Sequence, residues 1–275
     1  MLHLRPDFAS KLLPRERVFF HLFTLVGKIY REQGGRRTLK FHHQGKDFFL
    51  KTHAGVGWKE IFKNLLQFRL PVVSAFPEWK AIHRLLALGV DTAQPVGYGR
   101  LGMNPAQLCS LLITEDVGDT VTVEDLLRSW KDAGAPPRSE LALKRSVLRR
   151  VAEIARTMHR NGVNHRDFYA CHLRIDAASL SAQTGINPPR IYVMDLHRAQ
   201  LRRGPPPERW IVKDLASLYF STIGLGITSR DRYRFIAAYT GVPLRQALSN
   251  QARLWERVES RALSTFRREQ RQGRR

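Results

Sequence analysis

The string Val163-Asn-His165-Arg166-Asp167, set directly behind a long helical stripe, constrains this chain more than any other feature. Leu143, Val147, Leu148, Val151, Ile154, Ala155 and Met158 recur at the spacing of one helix face, with Lys144, Arg145, Arg149 and Arg156 opposite. The pattern stops at Asn161-Gly162, a common helix end. Asp195 follows 28 residues after Asp167, within Ile191-Tyr-Val-Met-Asp195-Leu-His197-Arg198. Strand-like stretches at 173–175 and 190–194, joined by the polar turn Thr184-Gly-Ile-Asn-Pro-Pro189, read as a hairpin between the two acids. Helix, loop, hairpin and an aspartate at a strand end thus come in order.

Upstream the pattern changes to period two. Residues 37–42 and 47–53 flank a polar turn with Gly45, a second hairpin. Alternation puts Phe48 and Leu50 on one face and Phe49 and Lys51 on the other. A lysine facing inward from a strand needs an anion or an open cleft. Helical spacing is predicted at 58–68 and 78–88, the latter closed by Gly89, and strands at 95–100 and 111–115. A short helix at 122–130 is broken by Ala133-Gly-Ala-Pro-Pro137, and further helices are predicted around 213–223, 230–239 and 244–264. Strands dominate the first part and helices the second, so the fold class is α+β in two lobes. We place the small β-rich lobe at 1–115 and the larger helical lobe at 116–275.

Composition excludes several classes. An apolar fraction of 43% is ordinary for a folded chain, and Cys109 and Cys171 are too few for a disulfide framework. The most apolar run, 18–26, is far shorter than the roughly 20 residues that cross a bilayer and carries His21. We expect neither a signal peptide nor a membrane span. The net charge of +22 over 275 residues points to a polyanionic partner. The arginine-rich stretch 253–275, with only a rough apolar stripe, reads as a basic surface helix that frays at its end.

The helix, His-Arg-Asp loop, hairpin and later aspartate resemble the protein-kinase catalytic core. Phosphoryl transfer needs a carboxylate to take the proton of an attacking hydroxyl, a second to place a divalent metal, and a cation on the phosphates. The resemblance implies a two-lobed protein-kinase-like fold, with Asp167 as base flanked by His165 and Arg166. It further implies Asp195 as the ligand of Mg2+, Lys51 on the phosphates of ATP, and Glu78 as the partner of Lys51, with Glu60 the rival. Leu112-Ile-Thr-Glu115-Asp-Val fits the hinge that hydrogen-bonds adenine, and Lys213-Asp214 the helix whose aspartate braces the loop. Gly34-Gly35-Arg36-Arg37 stands where a glycine triplet would cover the phosphates, offering backbone donors and guanidinium groups.

Three departures separate the chain from a regulated protein kinase. His172 replaces the metal-binding Asn five positions after the base, and magnesium prefers oxygen to imidazole. The second motif is Asp-Leu-His, and residues 196–213 hold no Ser, Thr or Tyr to phosphorylate.

A second resemblance is closer and runs over almost the whole chain. Gly-Arg-Arg-Thr-Leu39, Gly55-Val-Gly-Trp-Lys-Glu-Ile-Phe-Lys-Asn-Leu-Leu66, Glu78-Trp-Lys-Ala-Ile82, Gly162-Val-Asn-His-Arg-Asp167, Asp195-Leu-His-Arg-Ala-Gln200 and Lys213-Asp-Leu-Ala-Ser-Leu-Tyr-Phe220 resemble the lipopolysaccharide core heptose(I) kinase family. His172 belongs to that family's own pattern. The resemblance implies transfer of the ATP γ-phosphate to O-4 of the first heptose of the lipid-A-linked core oligosaccharide. It also implies a peripheral, cytoplasmic location at the anionic inner face of the Gram-negative inner membrane, with acyl carrier protein as an associate. Arg36, Arg37, Arg166 and Arg198 are candidates for docking the glycan. A related glycolipid kinase acting on Kdo or another heptose is the first alternative. An inactive kinase-like polyanion binder is the second, but no nucleic acid is expected, because no recognisable binding module interleaves aromatic and basic residues.

Overall fold

The computed structural model describes residues 1–9, 15–66, 73–134, 140–181 and 188–273. Most of the turn read at 184–189, part of the break at 133–137 and the end of the 58–68 helix lie outside that set, as does the side chain of Glu60. The chain divides into two compact units, Met1–Arg84 with Ala93–Val117, and Leu85–Thr92 with Gly118–Arg275.

The first unit holds β1 (Leu2–Leu4), α1 (Pro6–Ala9), α2 (Arg15–Phe23), β2 (Lys28–Gln33), β3 (Arg36–His43), β4 (Lys46–Ala54), α3 (Gly57–Leu66), most of α4 (Phe76–Ala87), β5 (Pro95–Leu101) and β6 (Cys109–Glu115). Its six strands run antiparallel in the order β1-β5-β6-β4-β3-β2. The β2–β3 and β3–β4 connections are two-residue turns. Gly34 and Gly35, then Gln44 and Gly45, take positive φ, as a turn matched to strand twist requires. On one face, Leu39, Phe48, Leu50, Val96, Leu111 and Ile113 pack with Phe8, Val18, Phe19 and Leu22 of α1 and α2. The buried residues of the 18–26 run, Val18, Phe19 and Leu22, thus form the inner face of α2. On the other face Lys51, Leu112 and Tyr98 stand in register across β4, β6 and β5. Phe76 and Trp79 of α4 lie against the Tyr98 ring, at 5.4 and 5.9 Å.

The second unit holds β7 (Thr120–Thr122), α5 (Val123–Asp132), α6 (Leu141–Arg160), β8 (Val163–Asn164), β9 (Leu173–Asp176), α7 (Ala177–Ser181), β10 (Ile191–Val193), β11 (Gln200–Leu201), α8 (Glu208–Thr222), α9 (Ser229–Thr240) and α10 (Leu244–Arg271). Two small sheets, β10-β9-β7 and β11-β8, bracket the functional loops. Residues 165–172 run from β8 to β9, and 194–199 from β10 to β11. At the start of β8 only glycine fits. Gly162 has φ +79°, and a Cβ there would meet the Arg202 carbonyl oxygen at 2.1 Å.

Lys144, opposite the apolar stripe of α6, is itself buried: its ammonium group ion-pairs with Asp231 at 2.8 Å and donates to the Gly226 carbonyl at 2.8 Å. Residues 244–271 form one helix, interrupted only by non-helical Gln251, which packs on α8 and α9 and buries Ala247, Val258 and Ala262.

Candidate active site

In the first unit, the register that stacks α4 on Tyr98 also delivers Glu78 to Lys51. The Lys51 ammonium donates to Glu78 Oε1 at 2.5 Å, with the Glu78 side chain 5% exposed and Lys51 28%. A carboxylate that buried needs a cation, and Lys51 keeps an open side. The glycine-arginine segment is the β2–β3 turn. Gly35 is there for space as well as angle, since a Cβ would lie 2.9 Å from the Gly55 carbonyl oxygen. Arg37 turns inward: one guanidinium nitrogen donates to the carbonyls of Phe23 and Leu25, both at 2.9 Å, and ties down the end of α2. Glu115 closes β6 with its N–H on the Gln94 carbonyl, and its carboxylate pairs with Arg5 at 2.5 Å.

In the second unit the loop after β8 is built around Asp214 of α8, which is fully buried. Its carboxylate accepts the backbone N–H of His165 at 2.6 Å and of Arg166 at 2.7 Å, and lies 3.4 Å from His159 Nε2. Those bonds hold Arg166 at φ +73°. Its guanidinium lies 5.0 Å from the Trp210 ring centre. Asp167 then faces Arg198, whose Nη1 donates to both carboxylate oxygens at 2.9 and 3.0 Å, while Lys213 Nζ stands 3.8 Å away. Asp195 sits at φ +60°, the other strained non-glycine position among the described residues of this unit, with its side chain 34% exposed and His197 Nδ1 at 2.5 Å.

The two histidines of the loop have packing and positioning places. His165 is fully buried and donates from Nε2 to the Met194 carbonyl at 2.8 Å, and burial holds its imidazole below the ordinary range, in the neutral form. It braces the loop and cannot reach a substrate. His172 donates from Nδ1 to the Asp167 carbonyl at 2.8 Å and points Nε2 at Asp195, 3.6 Å away. Burial works against a charge on His172, but hydrogen bonding with Cys171 and the Asp167 carbonyl, with the Asp195 charge, lifts it to about 9. His172 thus spans the two acids, with Nδ1 on the Asp167 carbonyl and Nε2 towards Asp195.

Among the described residues no three His, Cys, Asp or Glu side chains cluster to cage a metal. Magnesium needs no such cage, since it commonly takes one or two carboxylates and completes its shell with phosphates and water. The partly exposed carboxylate of Asp195 fits that donor set.

The model of the lipopolysaccharide kinase (Kdo/WaaP) family matches residues 21–239. The chain belongs to that family. Across 99% of its length it is 43% identical to the lipopolysaccharide core heptose(I) kinase WaaP of Escherichia coli K12, covering all of that protein. The WaaP of Pseudomonas aeruginosa PAO1 is 44% identical over 90% of each chain. A solved structure of WaaP in complex with acyl carrier protein superposes with a TM-score of 0.80 at 36% identity, covering 97% of this chain and 99% of that one. The α+β, kinase-like architecture expected from the sequence is the architecture of the family. The roles of Arg198, Lys213 and His197 beside the two acids were not readable from spacing. The only signal was that Asp-Leu-His-Arg and Lys-Asp recur in the family's blocks.

Proposed function

We propose that the chain transfers the γ-phosphate of ATP to O-4 of the first heptose in the lipid-A-linked core oligosaccharide of lipopolysaccharide. What supports this reading most is near-full-length identity above 40% to proteins named as heptose(I) kinases. Asp167, Asp195 and the Lys51–Glu78 pair are all retained beside it.

Asp167 takes the proton of the heptose hydroxyl as its oxygen bonds to the γ-phosphorus and the bridge to ADP breaks. Arg198 and Lys213 hold that carboxylate in place. Lys51, fixed by Glu78, binds nucleotide phosphate. Asp195, oriented by His197 and His172, would hold Mg2+, which when bound neutralises phosphate charge. One nitrogen of Arg37 is engaged by backbone carbonyls, and Arg36, Arg37, Arg166 and Arg198 stand as the glycan candidates.

The acceptor is an anionic glycolipid, which the +22 charge suits. Among the described residues no helix is long and apolar enough to cross a membrane. A peripheral place at the cytoplasmic face of the inner membrane follows from that acceptor. Acyl carrier protein, the partner named for the solved relative, is an acidic protein that this surface would accept.

Incubation with ATP, Mg2+ and dephosphorylated lipid-linked core, followed by mass spectrometric location of the new phosphate, tests the reading. Phosphate on the first heptose is expected. Phosphate on a Kdo residue instead would favour the alternative that the family's double name keeps open.

A further inference from the structure

Helix α3 presents an apolar face to solvent. Trp58, Phe62 and Leu66 follow at intervals of four, so they share one stripe, and they are 51%, 57% and 82% exposed. The Trp58 and Phe62 rings stack at 5.8 Å. Ile61, on the adjoining arc, is buried and fastens the helix to its unit. Lys59 and Lys63 are exposed and fall on the other flank of the stripe. A single exposed apolar side chain needs no explanation, but a contiguous Trp-Phe-Leu stripe marks an interaction surface.

We infer that this face of α3 docks the protein on an anionic lipid bilayer, with Trp58, Phe62 and Leu66 entering the headgroup boundary and Lys59 and Lys63 on the phosphates. A helix lying in a membrane interface has this composition: large apolar residues on one side and lysines along its edge, whose stems cover apolar surface while the ammonium stays wet. Charge favours a bilayer over a second copy of the chain. A second copy of the chain would bring another +22 and its own Lys59 and Lys63 to the same face, whereas an anionic surface complements both. The inference concerns where the chain works and requires no turnover, so its failure would leave the proposed transfer untouched.

The test is co-sedimentation of the full chain with vesicles of phosphatidylglycerol and phosphatidylethanolamine, against neutral phosphatidylcholine. Binding to the anionic vesicles is expected, and Trp58→Glu with Phe62→Glu should weaken it on the order of tenfold or more at an unchanged melting temperature. A second measurement covers a misfolded double variant. Brominated lipids should quench wild-type tryptophan fluorescence, and Trp58→Phe should remove most of that quenching. Absence of wild-type binding, a folded double variant that binds as wild type does, or quenching that survives Trp58→Phe would each overturn the inference. So would a dimer dispersed by the double substitution while vesicle binding persists, since the face would then cover a second copy.

Discussion

Arg198 reaches back across 31 residues to place one guanidinium nitrogen on both carboxylate oxygens of Asp167, at 2.9 and 3.0 Å. The short turn Leu196–Arg198 that follows Asp195 makes this reach possible. The side chain proposed to accept a proton is thereby aimed by the same loop that carries the metal-binding candidate.

Arg198→Ala should therefore act through orientation. Turnover is expected to fall roughly 10- to 100-fold, the scale of a misplaced catalytic group, with little change in KM for ATP. Arg198→Lys should recover part of the loss. Steady-state kinetics of the three proteins check this, and an Ala variant altered only in the KM for ATP would place Arg198 on the nucleotide instead.

In the proposed function the Lys51–Glu78 pair couples stability to nucleotide binding. Lys51→Ala leaves a carboxylate 5% exposed without its cation. The cost is expected at about 2–3 kcal/mol, below the roughly 3–5 typical of fully buried pairs because Lys51 is partly open to water. Urea unfolding measures the loss, and ATP turnover of the folded variant should collapse with it. Glu78→Gln should destabilise less, since the amide can still accept from Lys51.

Asp214 is a structural acid. In Asp214→Ala the buried N–H groups of His165 and Arg166 lose their acceptor, at about 1–3 kcal/mol each. Thermal melting should drop and turnover with it, while Asp214→Asn, which keeps one acceptor oxygen, should fall between. A melting temperature unchanged in the Ala variant would show that the loop is held by other means.

Acid should expose the Lys144–Asp231 pair. Burial disfavours the Asp231 charge, but hydrogen bonds from Lys144 and Thr228 outweigh it and hold the carboxyl below its ordinary 3.8. A depressed carboxylate contributes stability in full above the ordinary value, and that contribution is lost as pH falls through the lowered one. The stability gap between wild type and Asp231→Asn is thus expected to be widest above about pH 5 and to narrow below pH 4. Urea midpoints between pH 7 and pH 3 follow it.

How much of this was legible depended on whether a residue's partner lay within a local window. The β3–β4 hairpin announced itself by alternation and a glycine turn, and α6 by its stripe. Strand β2 did not, because all six of its residues are exposed and only pairing with β3 makes Lys28–Gln33 a strand. Strand β1 is three residues long and depends on β5 in the same way. The burial of Lys144 was not legible either, since its acid lies 87 residues further on. Within the site, Asp167, Asp195, Lys51 and Glu78 came from motif order. The inward turn of Arg37 and the bridging place of His172 came only from three-dimensional neighbours.

The most direct measurement compares phosphate transfer from ATP to lipid-linked core by wild type and Asp167→Ala, with melting curves to confirm that both are folded. A folded variant slowed by roughly 100- to 10,000-fold is expected for loss of the proton acceptor. Turnover within about threefold of wild type would contradict the assignment of Asp167 as the base.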